Sequence, residues 1–200
     1  STEQAGRLML MFQRSTGSVD GVKESMIEAS VSAQKYGVSV RDVQRDMGEN
    51  MDLLARFGVR NRMVMSESSA KARSYGVNIK EVNQAFGKQM DTFESTSQVA
   101  AKLNTVFGTH INSYRLMLET NPTERMLMLR QELVKQGKSW DNLNVHEKNV
   151  ITTSLNVTEE FAALAFAQKD ARKALEGYDR EQKRRQKADK DWQRGLSQVK

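Results

Sequence analysis

Ala33-Gln34-Lys35-Tyr36-Gly37-Val38-Ser39-Val40-Arg41-Asp42-Val43 is the stretch whose reading decides the fold. A glycine placed just after a helical run can take the left-handed conformation that closes a helix. A serine with an acid three residues on is a helix start, because its hydroxyl accepts a backbone N–H that the first turn leaves unbonded. The stretch therefore spells helix, glycine turn, capped helix, and it occurs twice. Ala33, Tyr36, Gly37, Val38, Val43, Gly48, Met51 and Asp52 return thirty-nine residues later as Ala72, Tyr75, Gly76, Val77, Val82, Gly87, Met90 and Asp91. Val40, Arg41, Asp42 and Gln44 become Ile79, Lys80, Glu81 and Asn83, so most positions keep their character. The unit is a helix-turn-helix hairpin used twice. Two copies favour a pair of related hairpins in a compact bundle over a solenoid, which needs three or more repeats.

The same punctuation extends outward. Asn78 with Glu81, Asn121 with Glu124 and Asn144 with Glu147 repeat the cap pattern. Pro122 stands at a first helical position, where its missing N–H costs nothing. Gly58, Gly108 and Gly137 each follow a periodic apolar run, as Gly37 and Gly76 do. These marks predict helices over 2–14, 20–36, 40–57, 60–75, 79–95, 97–107, 109–119, 122–136 and 144–154, then a long one from Thr158. The chain has one proline and is rich in strong helix formers. The expected fold is all-α. Residues 1–157 form a compact array or bundle of short capped helices with two related hairpins. Residues 158–200 form a long, charged C-terminal helix that projects or self-associates.

Little in the sequence points to catalysis. There are no cysteines, which removes disulfides and thiolate metal sites. His110 and His146 are the only histidines, and neither has a second ligand at helical spacing. No phosphate-cradling glycine loop and no nucleophile motif occurs. The apolar run Leu8 to Phe12 is far too short to span a bilayer. The expectation is a protein that is not an enzyme, with no cofactor and no metal. Methionines recur along the chain, and the spacing of Met126, Leu129 and Leu133 assigns them to a core face. Trp140 is expected to pack between helices.

The net charge of +6 is unevenly placed. Ala171 to Lys200 holds ten Lys/Arg and five Asp/Glu, so this end carries +5 of it. Lys183, Arg184, Arg185 and Lys187, with Trp192 beyond them, are the candidate interaction residues. Lysine and arginine on phosphates with an aromatic for stacking could bind nucleic acid. Acids are interleaved throughout, at Asp179, Glu181, Asp189 and Asp191, which favours a solvated helix laced with ion pairs.

Several features also stand in a recognisable order. Tyr36-Gly37-Val38-Ser39-Val40-Arg41-Asp42-Val43 precedes Met51-Asp52-Leu53-Leu54-Ala55-Arg56-Phe57-Gly58. Tyr75-Gly76-Val77-Asn78-Ile79 leads to Met90-Asp91-Thr92-Phe93-Glu94-Ser95. Ala101-Lys102-Leu103-Asn104, Phe107-Gly108-Thr109, Asn121-Pro122-Thr123-Glu124-Arg125 and Gln136-Gly137-Lys138-Ser139-Trp140 follow. Across roughly residues 30 to 165 this series resembles the central helical region of tail tape measure proteins of long-tailed bacteriophages. The resemblance implies a structural virion protein of the phage tail, assembled in the host cytoplasm. It implies roles in tail assembly, tail length determination and DNA ejection. The implied partners are tail tube, tip or baseplate proteins, tail-assembly chaperones and further copies of itself. The structural turns it highlights are Tyr36, Gly37, Tyr75, Gly76, Gly108, Pro122 and Gly137. The alternative is a helical nucleic-acid-binding or adaptor protein that uses the basic C-terminal helix.

Overall fold

In the computed structural model, Leu10, residues 19–50 and residues 62–167 are described. All regular structure among them is helical, as the capping pattern predicts. The helices are α1 (Val19–Tyr36), α2 (Val40–Glu49), α3 (Arg62–Ser74), α4 (Ile79–Val82), α5 (Phe93–Phe107), α6 (Ser113–Leu118), α7 (Pro122–Lys135), α8 (Val145–Leu155) and α9 (Glu159–Phe166). A π-helical stretch, Asn83–Lys88, continues α4, and a 3-10 turn, Trp140–Asn142, precedes α8.

The helix ends follow the caps read from the sequence. Gly37, Gly76, Gly108 and Gly137 all have left-handed φ, between +65° and +83°. At Gly37, Gly76 and Gly137 the turn closes with paired bonds back onto the helix. Val38 N reaches Ala33 O at 3.0 Å, Val77 N reaches Ala72 O at 3.2 Å, and Lys138 N reaches Leu133 O at 2.9 Å. Gly108 closes by one bond, from its N–H to Asn104 O at 3.0 Å. Gly58 lies outside the described residues. Ser39, Asn78 and Asn144 cap as expected, and the last two form full reciprocal boxes with Glu81 and Glu147.

The core has two parts. Val22, Ala29, Ala33, Val43, Met47, Met65, Ala70 and Ile79 pack the first, among α1, α2, α3 and the start of α4. The second runs from Ala72 through α5, α7 and α8 to Phe166. In it Phe86 packs against Phe161 and Phe166, with ring centroids 6.2 and 6.4 Å apart. Helix α3 gives Met65 and Ala70 to one part and Ala72 to the other, and so joins them. Met126, Leu129 and Leu133 are buried, as their spacing requires, and so is Trp140. Met63 is exposed instead.

Some predicted boundaries move, each for a local reason. Helix α2 ends at Glu49 rather than near 57: Asn50 leaves the helix and its side-chain N–H donates to Asp46 O at 2.8 Å. The break expected near residue 96 falls at Thr92, which caps α5 in a box with Ser95. Residues 109–112 are not helical. Asn104 Oδ1 accepts from Thr109 Oγ1 and from Ile111 N, each at 2.8 Å, and holds them out until Asn112 caps α6.

The second repeat also departs from the first. After one α turn it becomes π-helical, where the first stays α-helical to Glu49. A Cβ on Gly87 would lie 2.2 Å from Asn83 Oδ1, so a larger residue there requires the Asn83 amide to move. The last difference is at the C-terminal end. The helix capped by Thr158 stops at Phe166, and Ala167 is extended with φ −56° and ψ 151°. The uninterrupted helix expected from Thr158 is therefore broken at Ala167. Residues 168–200 lie outside the described residues.

Candidate functional site

The two Tyr-Gly-Val turns are closed alike but used differently. Tyr36 is half-buried against the first core, and its hydroxyl donates to Glu67 Oε1 at 2.9 Å. Lys35 Nζ binds the same carboxylate oxygen and also lies 5.2 Å from the centre of the Tyr36 ring. Burial works to raise the Glu67 carboxyl, but the bonds from Lys35 and Tyr36 outweigh it and hold the group below its usual range. The first turn is thus tied across to α3. Tyr75 is half-buried against the second core, with the Arg130 guanidinium 4.8 Å from its ring centre. Gly76 sits against Leu164 of α9. The second turn is thus tied to the C-terminal helices.

Charged side chains buried between helices are the least expected feature. Asp46 and Arg73 form a two-pronged pair, Nε to Oδ2 at 2.7 Å and Nη2 to Oδ1 at 2.5 Å, joining α2 to the end of α3. Burial pushes the Asp46 carboxyl above its usual range despite the pull of Arg73. The bond to that carboxylate raises Arg73, which is the more exposed partner. Lys71 Nζ meets Glu124 Oε1 at 2.8 Å in a buried pair between α3 and α7. Glu124 therefore does not complete the cap box that the sequence suggests. Asn121 caps α7 alone, accepting from Thr123 N at 3.0 Å, while its own amide donates to Ser68 Oγ at 2.6 Å.

Two arginines of α7 donate to backbone carbonyls. Arg125 donates to four carbonyls: Glu119 at 2.5 Å, Phe86 and Met90 at 2.8 Å each, and Met117 at 3.1 Å. It gathers the carbonyl ends of the π-helix and of α6 under one guanidinium. Burial lowers its pKa, opposed by Glu119 and Asp91; the group stays charged at any working pH. Arg130 donates to Ala165 O at 2.5 Å and to Ala167 O at 2.6 Å. A cation set on free carbonyls at a helix C-terminus satisfies both hydrogen bonding and the helix dipole.

Each of these buried cations faces a carboxylate or carbonyl oxygens, an arrangement that fixes helices in place. The turn residues Tyr36, Gly37, Tyr75, Gly76, Gly108, Pro122 and Gly137 are all placed at helix ends, spread over both parts of the core. The structure does not gather them into one pocket. His110 and His146 are exposed. Among the described residues no group of three or more His, Cys, Asp or Glu could hold a metal, and no helix is long and apolar enough to cross a membrane. Lys183, Arg184, Arg185, Lys187 and Trp192 lie outside the described residues. The buried arginines carry a signal in the sequence. Arg125 and Leu129, and Met126, Arg130 and Leu133, share three-four spacing on α7, which places both cations beside the apolar stripe.

Searches with the chain against protein-family models, curated proteins and solved structures find no match.

Proposed function

We propose that the chain is a structural virion protein, a folded segment of a tape measure protein in the tail of a long-tailed bacteriophage. Its roles are in tail assembly, tail length determination and DNA ejection. The observation behind this is the ordered series of turn and cap motifs from Tyr36 to Trp140. A function exercised through shape also suits a chain whose buried charges are spent on joining helices. Its partners are the tube, the tip or baseplate, tail-assembly chaperones and other copies of itself. It works without cofactor or catalytic chemistry.

An in-frame deletion of codons 62–167 in the genome that encodes the chain tests this. The expected result is loss of tails or tails of altered length by negative-stain microscopy. Normal, infectious tails overturn it. The second reading, nucleic-acid binding, rests on the +5 charge of the last thirty residues. Filter binding at two salt concentrations, with and without residues 180–200, decides it: no salt-sensitive affinity, or none lost on deletion, removes it.

A further inference from the structure

The two hairpins of the repeat differ in what lies against their first helices. Helices α1 and α3 run into the same turn, so Ile27 and Val31 of α1 stand where Ser66 and Ala70 stand in α3. On α3 that face is filled by α1. Ser66 Oγ lies 2.8 Å from both Glu28 O and Ser32 Oγ, and Ala70 belongs to the first core with Ala29 and Ala33. On α1 the same face is open. Ile27 is 63% and Val31 60% exposed, and their four-residue spacing sets one above the other on the helix. The turn that ends α1 is open as well: a Cβ on Gly37 meets nothing within 4 Å, whereas one on Gly76 meets Leu164. In a repeated array each unit covers its neighbour, and an end unit carries polar residues on its outer face. Here the outer face carries two aliphatic side chains instead.

We propose that the Ile27–Val31 face of α1 is a docking surface for a second copy of this chain, with α1 antiparallel to the partner's α1 about a twofold axis. The charges beside the aliphatic pair carry the choice of occupant. Glu24 stands three residues before Ile27, Lys35 stands four after Val31, and both are exposed. In the antiparallel pairing Ile27 lies opposite the partner's Val31, and Glu24 meets the partner's Lys35 at each end. A parallel pairing would set Glu24 against Glu24 and Lys35 against Lys35. Lys35 keeps its bond to Glu67 of its own chain, and Lys23 is offset by Asp20 at 3.9 Å. The stripe is thus complementary to itself, with acid at one end, base at the other and aliphatic side chains between, and a twofold pairing uses that property. The patch is small, so the association is weak. It holds whether or not the chain belongs to a tail.

Sedimentation equilibrium of the full chain, carried up to about 1 mM, tests this, since small interfaces associate in that range. The mass is expected to rise with concentration toward twice the 22.7 kDa of one chain. Ile27→Glu with Val31→Glu should hold it at one chain, with unchanged melting at low concentration because both side chains are exposed. The chain has no cysteine, so Ile27→Cys and Val31→Cys report the register. Mixed equally and oxidised, they should give the 27–31 disulfide well above the share of about half that random pairing gives, since the bond needs Cα atoms within about 7 Å. A wild-type chain that stays at the mass of one chain overturns the proposal. So does association that survives the double glutamate variant, which places the contact elsewhere. Lowered melting of that variant at low concentration would show that the chain's own residues cover the face, and would overturn it too. An excess of 27–27 and 31–31 disulfides would show a parallel pair, with the same consequence. None of these outcomes depends on whether deletion of codons 62–167 alters tails, so the two proposals fail separately.

Discussion

Replacing Gly37 by alanine isolates the energy of the left-handed turn. Its φ is +65°, and a Cβ built there meets nothing within 4 Å. The cost is therefore backbone strain alone, about 1–2 kcal/mol for a non-glycine residue in this region. About 0.4–1 kcal/mol returns because alanine has fewer unfolded conformations to lose. The net loss expected is about 1 kcal/mol, which lowers the melting temperature of a chain this size by about 2–4 °C. Gly76→Ala should lose more. Its φ is +83°, and the new Cβ would stand 3.3 Å from Leu164 Cδ2. Leu164 is 48% exposed and can swing aside, so the added loss is a few tenths of a kcal/mol rather than several, as for any small repacking at a surface. Valine at either position should lose more again, because a β-branched residue tolerates positive φ least. The assay is thermal unfolding followed by helical circular dichroism, with urea unfolding as a second measure. Unchanged melting in both alanine variants, or a larger loss at Gly37 than at Gly76, would refute the reasoning.

Three further outcomes are expected. Arg125→Met should destabilise by about 3 kcal/mol or more in urea unfolding, since it strips charged donors from four carbonyls; a loss below about 1 kcal/mol would show that those carbonyls find other donors. Glu124→Leu should cost about 1.5–3 kcal/mol by removing the carboxylate that Lys71 bonds, with Glu67 still near the ammonium, while Lys71→Met with Glu124→Leu should recover part of it; a double-mutant cycle in which the two losses simply add would contradict the pairing. Glu67 has a folded pKa below its unfolded value, so its contribution is present above about pH 4.5 and is lost as pH falls through the folded value. Glu67→Gln should therefore flatten part of the acid limb of the stability–pH curve; an unaltered limb would remove Glu67 from the account.

The helix ends were legible because their causes are local. Gly37, Gly76, Gly108 and Gly137 adopt positive φ, and Asn78 and Asn144 form their boxes, from residues within five positions of each other. Two features that escaped the sequence involve partners far along the chain. Glu124 matches a cap pattern, but Lys71, fifty-three residues away, takes it. Ala167 matches a helix, but Arg130, thirty-seven residues away, takes its carbonyl. The loop at 109–112 is intermediate, since Asn104 reaches it from only five to seven residues back. The two repeats illustrate both cases. Their shared residues build the same turn, while Glu67 and Arg130 give Tyr36 and Tyr75 different work. The candidate site divides in the same way. The turn residues lie at helix ends set by local sequence, whereas the roles of the buried arginines depend on acceptors elsewhere in the chain, since a charge on an apolar face has no meaning until its acceptors are known.

The central claim is that this chain is part of a phage tail. Immunogold labelling of purified tails, with an antibody raised against residues 62–167 and with tails opened at one end, tests it most directly. The account predicts label at the tail, at the tube opening or the tip, in tails purified away from capsids. Unlabelled tails, with the protein recovered only from the soluble fraction of the host cell, would contradict it.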